Sequence, residues 1–138
     1  MTVTEFEKIS NDNRLFYRMP KVLFTDPVLK KMTSDAKVLY MILLDRRCIS
    51  EVNGKDWRDE QDCVFIYFTI EEMMKLLNCG NKKINKLLNE LEEYDLILRR
   101  HQGLGKPNKI YIFDLLRKDN SNWKPTIKIR KEKGENYE

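Results

Sequence analysis

A single histidine, His101, and three scattered cysteines, Cys48, Cys63 and Cys79, are all that this 138-residue sequence offers as soft metal ligands. They show none of the ligand spacings of a zinc site, so no metal centre is expected. The same scarcity works against catalysis. His101 has no serine or cysteine nucleophile signature around it, and the abundant carboxylates lie in helical charge runs, which are usually solvated faces. The chain is expected to be neither an enzyme nor a cofactor protein. Cysteines odd in number and far apart argue for reduced thiols, read here as small buried hydrophobes.

Long apolar runs are also missing. The longest apolar cluster, Val38 to Leu44, is far shorter than the ~20 residues needed to cross a bilayer. The polar start MTVTEFEKISNDNR has no apolar stretch for a signal peptide. A soluble, cytoplasmic protein is expected. No internal repeat is evident. Gly103, Gly105 and Lys106 invite comparison with a phosphate-binding loop, but Arg100 and Pro107 stand where that loop needs glycine and Ser/Thr. The segment also leads into a strand rather than a helix.

What is present suits one domain: 41% hydrophobic residues for a single core and 35% charged residues for its surface. The net charge is only +4, so its distribution matters more than its sum. Residues 1–14 read as a flexible N-terminus, 15–114 as the domain and 115–138 as a basic linker or tail with Lys124, Lys128, Arg130, Lys131 and Lys133. LFYRMPKVLF, residues 15–24, is aromatic and β-branched around Pro20, which restricts it to an edge strand or extended arm. That arm could pair with a second copy, or Phe16, Val22, Leu23 and Phe24 could cover their own core. Asp26 can cap a short helix beginning at Pro27 and ending near Met32.

A longer helix capped by Thr33 or Ser34 should run to about Ile49, with Ala36, Leu39, Tyr40, Leu43 and Leu44 inward. Residues 50–62 read as a loop or small hairpin with an Asn53-Gly54 turn. Trp57 there and Trp123 in the tail are expected to pack. Cys63 to Phe68 is a run of β-formers and should be a strand.

Thr69 then opens a helix by a capping box with Glu72, and Met73, Leu76 and Leu77 form its apolar face. Asn78-Cys79-Gly80 is a turn in which glycine can take positive φ. The next helix, from about Asn81 to Tyr94, turns Ile84, Leu87, Leu88 and Leu91 inward. Two strands follow, Leu96 to Gln102 and Lys109 to Phe113, joined by Gly103-Leu104-Gly105-Lys106-Pro107-Asn108. This order predicts a mainly α (α+β) fold, a winged helix-turn-helix with a small antiparallel sheet.

The charges of the second helix run against its dipole. Lys82, Lys83 and Lys86 crowd its N-terminal half, and Glu90, Glu92, Glu93 and Asp95 its C-terminal half. The macrodipole favours the reverse by ~0.3–1 kcal/mol per well-placed charge. An anionic partner accounts for the arrangement, and double-stranded DNA is the obvious one. Lysines can hold phosphates, and Asn81, Asn85 and Asn89 suit base edges. A plain solvated face is the alternative. The hairpin carries Arg99, Arg100, Lys106 and Lys109 with no acid among them, fit for backbone contact or minor-groove insertion, or simply for protecting a sheet edge.

Taken together, FYRMPKVLF, MTSDAKVLYMILLDR, FIYFTIEEMMKLLNCGNKKINKLLNELEEYDLI and QGLGKPN followed by KIYI resemble the N-terminal domain of RepA-type (RepA_N) plasmid replication initiators, over about residues 15–113. The resemblance implies sequence-specific binding to repeated sites (iterons) in a plasmid origin, as a homodimer. Asn81 to Asn89 would be the reading helix and Gly103 to Lys109 the wing, with Thr69, Gly105 and Asn108 among the residues at the DNA. It further implies a separate C-terminal domain that engages host replication proteins and is missing here. A winged-helix transcriptional regulator would share the same physical features; a winged helix that binds protein and not DNA is a second alternative, whose recognition face is expected to be more apolar than Lys82, Asn85, Lys86 and Asn89.

Overall fold

Apolar spacing, caps and turn residues lay down seven elements between residues 22 and 112 of the computed structural model, which describes residues 1–5, 16–53, 58–61 and 63–116. They are α1 (Val22–Thr25), a 3-10 turn (Leu29–Lys31), α2 (Ser34–Asn53), α3 (Ile70–Leu77), α4 (Asn81–Glu93), β1 (Ile97–Arg100) and β2 (Lys109–Ile112). The fold is mainly α with an antiparallel β1–β2 hairpin, a winged helix. Most of the expected flexible N-terminus, the Asn53-Gly54 turn, Trp57, Trp123 and the basic tail lie outside the described residues. Residues 3–5 are helical: Thr2 and Glu5 each accept the other's backbone N–H, a reciprocal capping box.

The expected arm is not a strand. Residues 16–20 have no regular structure, and the chain then turns into α1, whose Leu23 is fully buried while Phe16 and Phe24 stay half exposed. Pro20 sits just ahead of that turn and uses only its carbonyl, which accepts from Leu23 N at 3.2 Å, so its missing N–H costs nothing. Asp26 caps as expected, its Oδ1 accepting from the N–H groups of Val28 and Leu29, but the helix it starts is a single 3-10 turn.

Thr33 caps α2 through a bond from Ala36 N to its hydroxyl at 3.3 Å. This helix outlasts the expected end at Ile49 by four residues, because extending a formed helix adds a hydrogen bond for each residue fixed. Leu39, Tyr40, Leu43 and Leu44 of α2 meet Met73 of α3, Ile84, Leu87, Leu88 and Leu91 of α4, and Leu96, Ile97, Ile110 and Ile112 at the hairpin. Leu76 falls off the apolar stripe of α3 and is exposed.

The run Cys63 to Phe68 is not a continuous strand. It makes two isolated bridges, Val64 with Arg58 and Ile66 with Ile110. Burial of Val64, Phe65, Ile66 and Phe68 accounts for its apolar character without a ladder. The three cysteines are free thiols as expected, but none is buried: Cys48 and Cys79 are half-buried and Cys63 is exposed.

Two polar groups hold the start and the end of the wing module. At the start, Thr69 accepts from Glu72 N at 3.1 Å, while the Glu72 carboxylate goes to Arg46 rather than back to Thr69. Half of the expected capping box is therefore present. Thr69→Ala should cost about 1 kcal/mol of stability in urea unfolding, and an unchanged midpoint would contradict the cap. At the end, the buried Tyr40 hydroxyl donates to Phe113 O and accepts from Leu115 N, and burial pushes its pKa well above the ordinary phenol range. Arg47 pairs with Asp114 beside it at 3.5 Å, both nearly buried.

Candidate nucleic-acid interface

The turn between α3 and α4 sets the angle of α4. Asn78, not Gly80, takes the left-handed conformation, with φ 51° and its N–H bonded to Met74 O. Asparagine tolerates that region and commonly closes a helix there. Gly80 is extended, with φ −87°, and serves as N-cap of α4.

Four apolar residues, Ile84, Leu87, Leu88 and Leu91, bury one side of α4. Lys82, Lys86 and Asn89 are exposed opposite them. The two flanks are engaged with neighbouring elements. Toward α2, Lys83 Nζ pairs with Asp35 at 2.8 Å, which raises the lysine pKa first by hydrogen bonding and then by charge. Glu90 on the same flank accepts from Thr33 N at 2.6 Å and from its hydroxyl at 2.9 Å, closing the N-terminus of α2. Toward β1, Arg99 donates from Nε to Glu92 at 2.8 Å and from Nη2 to Glu92 and Asn89. Arg99 thus braces β1 against α4, and its side chain is only 20% exposed.

These contacts revise the reading of the helix charges. Glu90 and Glu92 sit in the C-terminal half because each has a partner on another element. No local pattern announces this, since Thr33 and Glu90 lie 57 residues apart. Lys82 and Lys86 have no anionic partner among the described residues. Asn85, half-buried on the flank, donates through Nδ2 to both the backbone and the side-chain oxygen of Asn81. To reach a base edge it must exchange those bonds.

The hairpin register places Arg100 opposite Lys109, two like charges across a strand pair, which disfavours pairing. Lys109 relieves this in part by lying 4.7 Å over the Phe65 ring. Gly103 and Gly105 at the tip have φ of +119° and +77°, which L-residues rarely adopt. Lys106 N to Gly103 O (3.3 Å), Gln102 Nε2 to Pro107 O (2.7 Å) and His101 Nδ1 with Asn108 Oδ1 (2.9 Å) close the tip. His101 lies just past β1 instead of within it. A cleft of about 310 Å³ between the tip and the start of α3 brings together Thr69, Arg99, His101, Lys106 and Asn108. The Thr69 hydroxyl there is already used as the cap of α3.

Among the described residues no group of three His, Cys, Asp or Glu side chains could hold a metal ion, and no helix is long and apolar enough to cross a membrane.

The family described as "Replication initiator protein A (RepA) N-terminus" matches residues 15–125. A "41 kDa protein" of Lactobacillus helveticus is 33% identical over 95 residues, which make up 69% of this chain and 26% of that protein. The chain therefore spans about a quarter of that relative's length. A solved structure described as a Rep–DNA complex superposes with a TM-score of 0.66 at 34% identity, covering 99% of this chain and 98% of the other. The N-terminal domain of a DNA binding protein gives 0.65 at 32% identity, covering 100% and 97%. An MDR initiator gives 0.63 at 34%, covering 98% of each.

Proposed function

Because this chain belongs to the replication initiator protein A (RepA) N-terminus family, we propose that it is the duplex-DNA-binding module of a plasmid replication initiator. It works by binding, not catalysis: α4 enters the major groove and the wing grips the backbone beside it. The observation that carries this reading is uncompensated charge. Lys82, Lys86, Arg100 and Lys106 have no anionic partner among the described residues, whereas Lys83 and Arg99 on the flanks are paired. Phosphates supply the missing partners, with release of counterions.

Base reading falls to the asparagines. Asn85 can accept from adenine N6 and donate to N7 once it lets go of Asn81, and Asn89 keeps its amide N–H groups while Arg99 holds its oxygen. The finer readings rest on the family: iterons as the site, a homodimer as the binding unit, host replication proteins engaged by another part of the initiator, and the cytoplasm as the place of action.

The test compares two variants on origin-repeat and random duplexes. Asn85→Ala should lower the ratio of specific to random affinity by ~1–3 kcal/mol, leaving the salt slope of random binding intact. Lys106→Ala should weaken both complexes alike. An unchanged ratio for Asn85→Ala would hand the reading role to Asn81 or Asn89. No duplex binding even at low salt would replace the proposal with a protein-binding winged helix.

A further inference from the structure

Leu104 is 100% exposed at the apex of the wing. The other exposed large hydrophobics within the domain, such as Phe16, Tyr17, Phe24, Leu76 and Leu98, keep about half of their surface covered. A tight turn is ordinarily filled by Gly, Asn, Asp, Ser or Pro. Here Gly-Leu-Gly-Lys holds a leucine out by placing a positive-φ glycine on each side of it, and hydrogen bonds across 101–108, 102–107 and 103–106 keep the tip shut. The tip is therefore braced, and its leucine packs against nothing.

Its immediate surroundings are cationic. Lys106 follows two residues on, Arg100 lies below, and no acid occurs between Asp95 and Asp114. A partner that suits an apolar apex set in a cationic collar is anionic outside and apolar within. A DNA minor groove fits: phosphates line its rims and stacked bases form its floor. Minor-groove proteins insert leucine and similar side chains between base steps, unstacking them and kinking the duplex.

Resting on the DNA-binding reading above, we propose that Leu104 is a minor-groove wedge. It enters between two base pairs while Lys106 holds the flanking phosphates, and it bends the duplex toward the major groove. Flexible pyrimidine–purine steps would accept it at least cost, which adds a preference at positions α4 never touches.

The experiment uses the full chain and a duplex enriched from a random-sequence pool by the wild-type protein, with donor and acceptor dyes on its ends. Wild type should shorten the end-to-end distance on binding. Leu104→Ala touches no other side chain and should fold normally. It should bind with the same salt slope and an affinity within about tenfold of wild type, but leave the duplex nearly straight. Leu104→Phe should restore the bend. Equal bending by wild type and Leu104→Ala, or a straight wild-type complex, overturns the wedge while leaving the DNA-binding reading in place. Enrichment of no duplex at all overturns both. If Leu104→Ala instead lowers the mass of the protein in solution and leaves bending unchanged, the leucine is a contact between protein chains and the proposal falls.

Discussion

Changing Lys82 and Lys86 together to alanine should weaken binding to every duplex by ~60-fold at ~0.1 M salt, specific or not, and flatten the salt dependence by about two units. Each lysine that neutralises a phosphate contributes a slope of about 0.9, so two of them set both figures. The fold should not suffer. Lys82 stands in the first turn of α4, where the helix dipole disfavours a cation, and neither lysine has an anionic partner among the described residues. Its removal should leave stability level or raise it by up to ~1 kcal/mol. Anisotropy titrations at several salt concentrations, beside urea unfolding of the same variant, read both quantities. Weaker binding with an unchanged slope would mean that these side chains contact something other than phosphate.

The largest loss of stability is expected from Arg47→Ala. Arg47 and Asp114 meet at 3.5 Å with side-chain exposures of 11% and 9%, so truncating one leaves the other charge in the interior without this partner. Breaking such a pair typically costs about 3–5 kcal/mol, a large share of the stability of a small domain. Arg47→Met with Asp114→Asn removes both charges at similar volume, keeps an oxygen to accept from Leu116 N, and should recover most of that loss. Unfolding curves for the single and double variants decide the matter. A double variant as unstable as Arg47→Ala would place the cost in lost packing instead of in a buried carboxylate deprived of Arg47.

What could be read from the sequence was what is local to a few turns of chain. The Thr69 cap, the stripe Ile84, Leu87, Leu88 and Leu91, and the Gly-Leu-Gly tip each involve residues close together, and their spacing carries the meaning. What went unread depends on distant partners. Glu90 closes the N-terminus of α2, Lys83 joins Asp35, and Arg99 ties β1 to α4, so part of a charge pattern read as a DNA-binding or solvated face also holds the fold. Residues 63–68 have strand composition but are used mainly as buried packing, with Ile66 bonded to Ile110. Residues 15–24 look like an arm until Leu23 is seen in the core. In the turn, Asn78 took the left-handed position that composition assigned to Gly80, two residues on.

The grip of α2 on residues 113–115 has a mechanical meaning. Tyr40 bonds to the backbone on either side of Asp114, and Arg47 holds the side chain between. Tension applied to the polypeptide downstream of residue 116 would reach the central helix before it reached β2. The hairpin, whose four-residue strands would otherwise peel apart one hydrogen bond at a time, is shielded from that pull. In the proposed binding mode, the domain could then be tugged from its far side without the wing letting go first.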